Sequence, residues 1–415
     1  MRIFLSAGEP SGDHHAAALV SELRRLEPSV ECVGLGGPHM QAAGCILLAD
    51  LTVLAVMWFL RVIASLHRFV ELARLAERSF LDARPDVLVL VDFPGFHWWL
   101  AWRAKRHGIP VVFYCPPQIW AWASWRVHKM RRLVDRVLSP LPFEHEWFRA
   151  HGIDSTLVGH PFFDGVATSV RDEPRDGPAS HPLLLLLPGS RSQEIESNLS
   201  SLLASAEIVR RTIPEVRIVV ACLHDRHAAV TRAAMEARGL TAEVTAGEAS
   251  RLIRRADVAI SVSGSVSLEL LDARVPTVIV YRISGFAYVV QSFLRHARFI
   301  TLVNLLAVDQ PIQPVRRRLV PPSRVDPSDP AAVYPEYLCV QDPAEQVAGH
   351  VVEWLSVPES LRLARERIDQ VACRVATPGA GRRAAESVLE TARSHAKTDN
   401  GGYEARNDRL QRSAA

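Results

Sequence analysis

The chain has 415 residues, 48% hydrophobic and 22% charged, with 48 Lys and Arg against 45 Asp and Glu for a net charge of +3. This composition belongs to a folded chain of two or three domains, which excludes a disordered protein, and the near-balance of charge excludes a polybasic binder as a whole-chain property. Six cysteines, Cys32, Cys45, Cys115, Cys222, Cys339 and Cys373, form no CxxC pair, which fits a reduced, cytoplasmic setting.

The first strand, 2–6, turns polar at Ser6, too early for a signal-peptide core. A helix over 13–27 and a strand over 30–35 follow. The longest apolar stretch, 51–60, has ten residues where a spanning helix needs about 20. Within it Val56, Met57, Trp58, Phe59 and Leu60 read as a peripheral membrane or lipid-tail contact, or equally as a core helix. Next come a helix over 62–80, a strand over 86–92, a helix over 97–107, a strand over 110–115, a helix near 124–133 and a short strand near 134–139. Trp120, Trp122 and Trp125 interleave with Arg126, Lys129, Arg131 and Arg132, a pattern for nucleic acid, a membrane interface or a phosphorylated substrate, or for a solvated helix face with Trp in the core.

Residues 168–182 have no apolar period and read as a linker. The alternation then restarts: strand 183–188, helix 193–211, strand 216–222, helix 226–238, strand 257–262, helix 266–273, strand 276–281. Residues 308–333 hold six prolines and read as a surface insertion. The expected organisation is an N-terminal Rossmann-like domain over 1–167, the linker, a second such domain over 183–370, a C-terminal helix over 371–395 packing back on the first domain, and a disordered tail over 396–415. Two βαβ halves imply an α/β protein with two parallel sheets facing across an interdomain cleft.

The chemistry gathers in loops after strands. Ser6-Ala7-Gly8-Glu9-Pro10-Ser11-Gly12-Asp13 precedes a helix, so it reads as a ligand loop or as a tight turn capped by Asp13. It is no Walker loop and lacks GxGxxG, which sets aside a dinucleotide oxidoreductase. Pro188-Gly189-Ser190-Arg191 opens the second half, with Arg191 placed to meet phosphate charge on a leaving group. Ser263, Gly264 and Ser265 start a helix suited to a pyrophosphate, and Glu269, one turn on, suits both hydroxyls of a ribose. Asp92 ends a strand before Phe93-Pro94-Gly95-Phe96 and reads as a general base or a helix cap. The spacing of Asp, Glu and His suggests no dedicated metal site.

These segments, taken with GLGGPHMQAAG, PPQIWAWASWRVHKMRRLVD, LPFE, VGHPFFD and TPGAGRRAA, resemble the lipid-A-disaccharide synthase family (glycosyltransferase family 19) in the same order from residue 1 to about 390. The resemblance implies a GT-B fold and an inverting, metal-independent transfer without cofactor. The implied substrates are UDP-2,3-diacylglucosamine and 2,3-diacylglucosamine 1-phosphate, handled at the cytoplasmic face of the inner membrane, with no nucleic-acid partner and an oligomer possible. It assigns catalysis to Asp92, Arg191 and Glu9. It assigns substrate or UDP contacts to Gly8, Asp13, Ser190, Ser263, Gly264, Ser265, Glu269, Asn304 and Glu336.

The chain departs from the family pattern in places. Val303 stands where the family has proline before Asn304, and Val308-Asp309 follow Ala307. The Pro-Glu pair recurs only at Pro335-Glu336, and His97 replaces an asparagine after Phe-Pro-Gly-Phe. Two rival readings remain: another UDP-sugar enzyme, either an epimerase or a soluble-acceptor transferase, and a non-catalytic lipid or nucleotide-sugar binding descendant.

Overall fold

The computed structural model describes residues 1–55, 66–166, 181–313 and 317–395. Val56 to Leu60, the tail over 396–415 and all but the last two residues of the expected linker lie outside them. The chain divides into two compact units, Met1–Thr168 with Thr377–Ala415, and Ser169–Ala376.

Unit 1 is built on seven strands: β1 (Arg2–Ala7), β2 (Glu31–Gly36), β3 (Ile46–Asp50), β4 (Val87–Val91), β5 (Val111–Tyr114), β6 (Arg136–Ser139) and β7 (Ser155–Leu157). They pair in parallel in the order β3-β2-β1-β4-β5-β6-β7. Strand side chains alternate faces, so a strand covered on both sides must be apolar throughout. Phe4, Leu88 and Leu90 point to one core with Phe80 and Trp98. Ile3, Leu5, Val87 and Val89 point to the other, with Leu19, Leu23, Val388 and Leu389.

Unit 2 repeats the plan with six strands: β8 (Leu183–Leu187), β9 (Arg217–Cys222), β10 (Glu243–Ala246), β11 (Val258–Val262), β12 (Thr277–Arg282) and β13 (Glu336–Cys339). Their parallel order is β10-β9-β8-β11-β12-β13. In each sheet the strand order reverses direction once, between β1 and β4 and between β8 and β11. Ligands of open parallel sheets bind beside the strand C-termini at such a switch point.

One expectation is corrected. The C-terminal helix does not begin at 371: a helix of unit 2 runs from Pro358 to Val375, and a separate one occupies 380–395. Gly379, at φ +90°, makes the break. Asp164 then accepts from the Gly379, Ala380 and Gly381 N–H groups at 2.6, 2.8 and 2.6 Å, holding the start of the last helix to unit 1. The described parts of 308–333, read as a surface insertion, lie mostly at the surface and are anchored at points along their length. Ile312 bridges to Ala297, Asp329 pairs with Arg298 at 2.9 Å, and Ala332 and Val333 are buried. The segment is the long connection that delivers β13 to the sheet edge.

Candidate active site

At the switch point of unit 1 the two flanking loops interlock. Gly8 is buried, and a Cβ there would stand 2.3 Å from the Phe93 ring, so glycine is what lets the loop after β4 close over the loop after β1. Asp92 and Phe93 both take left-handed backbone angles, φ 55° and 46°, and Cys115, ending the neighbouring β5, has φ 48°. Non-glycine residues hold such angles at a cost of about 1–3 kcal/mol each, supplied by the surrounding structure.

His97 supplies part of that hold. It is fully buried among Phe93, Phe96 and Phe113. Its Nδ1 lies 2.6 Å from the Asp92 carbonyl oxygen and its Nε2 3.0 Å from Ser6 Oγ. The carbonyl can only accept, so Nδ1 carries the proton and Nε2 accepts from the Ser6 hydroxyl. Burial lowers the His97 pKa to about 3, which keeps the ring neutral.

The Asp92 Cβ sits against the first turn of the helix Pro10–Leu26, 3.6 Å from where a Gly12 Cβ would stand. Burial raises its pKa, opposed by a hydrogen bond from the Phe93 N–H. A half-buried carboxylate with a raised pKa at a strand end is suited to accept a proton. Glu9 is the N-cap residue of the same helix and half-buried.

Asp13 has a different task from ligand binding. It is buried, and its carboxylate accepts from the Gly37, His39 and Met40 N–H groups at 2.9, 3.0 and 3.1 Å. It therefore caps the neighbouring helix Pro38–Ala42 and leaves its own helix to begin at Pro10.

In unit 2, Gly189 turns at φ +107° so that Glu194 can fold back. Glu194 accepts from the Ser190 and Arg191 N–H groups at 3.1 and 3.2 Å, and the Arg191 guanidinium, largely exposed, stands 3.5 Å from the same carboxylate. Sequence reading passed over Glu194; its position three residues after the N-cap, as in a capping box, was the available signal. Ser263 Oγ donates to the Ile300 carbonyl at 3.1 Å, while Gly264 and Ser265 are exposed. Glu269 is half-buried, and its carboxylate has no protein partner among the described residues.

Asn304 and Glu336 are not placed for a ligand. Asn304 is wholly buried. Its amide donates to the Tyr334 carbonyl and Glu336, at 2.7 and 2.9 Å, and its oxygen accepts from the Val333 and Tyr334 N–H groups, both at 2.9 Å. That exhausts a side-chain amide's capacity. Glu336 also accepts from the Ile300 and Thr301 N–H groups at 2.8 and 3.1 Å. The pair latches β13 to the helix Leu302–Ala307.

Two parallel-sheet Rossmann-like units, each with polar loops at its switch point, define the GT-B class of nucleotide-sugar enzymes. Solved structures agree on this fold. A UDP-GlcNAc 2-epimerase from Neisseria meningitidis aligns with TM-score 0.59 at 10% identity, covering 94% of this chain and 100% of that one. Acinetobacter baumannii MurG aligns with TM-score 0.55 at 13% identity, covering 94% and 99%. The chain belongs to the lipid-A-disaccharide synthetase family, whose sequence profile matches residues 3–315. It is 35% identical to the lipid-A-disaccharide synthase of Myxococcus xanthus, covering 94% of this chain and 97% of that one. It is 31% identical to that of Geobacter sulfurreducens with the same coverage. It is thus a hexosyltransferase by family. No helix among the described residues is long and apolar enough to cross a membrane.

Proposed function

We propose that this chain transfers 2,3-diacylglucosamine from its UDP derivative to O6 of 2,3-diacylglucosamine 1-phosphate, yielding the β-1,6-linked lipid A disaccharide phosphate and UDP. The observation that carries the site assignment is Asp92: a half-buried carboxylate of raised pKa on strained backbone at the switch point of unit 1.

In this reading Asp92 accepts the proton of the acceptor 6-hydroxyl as that oxygen attacks the anomeric carbon. The bond from that carbon to the phosphate oxygen breaks, the electron pair leaves with UDP, and attack opposite the leaving group inverts the anomeric centre. Arg191 and the helix start at Ser263–Ser265 take up the charge that develops on the departing phosphate. Glu269 accepts from the ribose hydroxyls, a role its unpartnered carboxylate suits. Val56 to Leu60 remain a proposed lipid contact at the cytoplasmic face of the inner membrane, and an oligomer remains part of the same reading.

The test is a detergent-micelle assay with UDP-2,3-diacylglucosamine and radiolabelled 2,3-diacylglucosamine 1-phosphate, run with EDTA. Disaccharide and UDP in equal amounts are expected. Donor binding without product would favour a binding protein, and a 2-epimerised donor would favour an epimerase.

A further inference from the structure

Helix Leu66–Asp82 of unit 1 begins beside the loop that holds Asp92. Its Phe69 ring packs on Phe93 and Phe96, with 6.2 and 5.7 Å between ring centroids, and Phe93 is the residue that follows Asp92. One flank of the same helix lines an open groove of about 650 Å³, whose other wall carries Asp50, at the end of β3, and Val53. Leu72 and Leu75, half-buried against the core, and Val53, 64% exposed, give this groove an apolar side.

Arg68, Arg74 and Arg78 line the same groove. All three are exposed, and none of their guanidinium groups has an ion-pair or hydrogen-bond partner among the described residues. Of the two carboxylates in the lining, Asp50 is taken by the Thr52 N–H and hydroxyl at 2.9 and 2.6 Å, which leaves Glu71. Three guanidiniums against one uncommitted carboxylate, beside apolar surface, suit a ligand that carries both a phosphate and an alkyl chain. Position along the helix singles out Arg68. It precedes Phe69, which touches Phe93, whereas Arg74 and Arg78 stand about 9 and 15 Å farther along the axis.

We propose that this groove holds the acceptor. The Arg68 guanidinium binds the acceptor's phosphate monoester, and an acyl chain runs over Leu72, Leu75 and Val53. Arg68 is then the residue that selects an acceptor bearing a phosphate. The proposal rests on the reading that the acceptor is 2,3-diacylglucosamine 1-phosphate. A phospholipid headgroup offers the same phosphate chemistry, and a pair of acceptors separates the two.

The test uses the full-length protein in neutral, non-ionic micelles, with UDP-2,3-diacylglucosamine as donor and two acceptors, 2,3-diacylglucosamine 1-phosphate and 2,3-diacylglucosamine. The wild type is expected to prefer the phosphorylated acceptor. Arg68→Gln should raise the KM for that acceptor about 10–100-fold, the scale of a lost charge-assisted hydrogen bond, and leave the donor KM unchanged. The two acceptors should then be used nearly alike. Arg68→Lys recovers part of the preference, because the charge stays while the planar fork is lost. Both variants keep the wild-type melting temperature, since the side chain is exposed and unpaired. An unchanged preference in Arg68→Gln overturns the proposal. So does an equal loss with both acceptors, which would give Arg68 a task other than reading the acceptor phosphate. A wild type that forms no disaccharide, yet shifts the phosphorus NMR signal of 2,3-diacylglucosamine 1-phosphate in a way that Arg68→Gln abolishes, would refute the transferase reading and leave the groove as the phosphate site.

Discussion

The imidazole of His97 ties Asp92 to Ser6 across the two strand ends that flank the switch point, with contacts of 2.6 and 3.0 Å. It grips the Asp92 backbone and leaves the carboxyl free, so it acts as a positioning residue. His97→Ala is expected to lower kcat about 10–100-fold with little change in donor KM, the penalty of a misplaced reacting group. His97→Asn keeps a side-chain N–H for the Asp92 carbonyl and recovers most of the loss. Equal loss in both variants would mean that packing, not the hydrogen bond, holds Asp92.

Asp92→Asn removes the proton acceptor at nearly constant shape. The expected result is a fall in kcat of about 10²–10⁴ with UDP-sugar affinity retained. Burial raises the Asp92 pKa, and a base works only when deprotonated. The acid limb of kcat/KM should therefore lie above the ordinary aspartate range near ~4, and activity should fall as pH drops through it. A pH–rate profile without that limb removes Asp92 as the base.

Glu194 occupies the Ser190 and Arg191 amides, which the proposed reading gives to an incoming phosphate, and it also holds Arg191. Glu194→Gln removes the negative charge while keeping an acceptor for the turn. UDP affinity, measured by calorimetry, should rise about 3–10-fold, the scale of one charge at a helix start. Arg191→Ala should lower both UDP affinity and turnover. Unchanged affinity in both would place the phosphates elsewhere.

The strands that sequence reading found and those it missed differ in position. β1, β4, β8 and β11 are interior and buried on both faces, so their apolar runs stand out. The four missed strands, β3, β7, β10 and β13, are the four sheet edges. They are short, and β3 and β10 have no buried residue at all. Loop chemistry at strand ends was legible because glycine and charge recur there. The duties of Asp13 and Asn304 were not, because they depend on backbone groups 24 to 30 positions away. Ser6 and His97 are 91 positions apart, and no spacing rule links them.

Asn304→Ala separates latch from ligand contact. It leaves the Val333 and Tyr334 amides buried without acceptors, worth about 2–4 kcal/mol together. Hydrogen exchange at those amides should speed up roughly 30–1,000-fold, while UDP binding to the folded protein changes little. Lost UDP affinity with full protection would return Asn304 to the ligand site.

Glu144 is fully buried, with no cation beside it among the described residues. It accepts from Trp120 Nε1 at 2.9 Å and from Ser139 Oγ at 2.6 Å, and burial pushes its pKa up to about 7. Below the unfolded value of about 4.5 both states hold the proton. Between there and about 7 the unfolded chain releases it and the native protein keeps it, so this group's contribution to stability falls as pH rises. Above that window the native state carries the whole penalty. Glutamine keeps the bond from Trp120 and donates to the Ser139 hydroxyl, which can reverse its role. Glu144→Gln should therefore stabilise the protein by about 1–3 kcal/mol at pH 8 and by almost nothing at pH 5. Urea unfolding at the two pH values, followed through Trp120, measures the difference. A destabilised variant at pH 8 would show that the ionised carboxylate's two hydrogen bonds outweigh the cost of burying its charge.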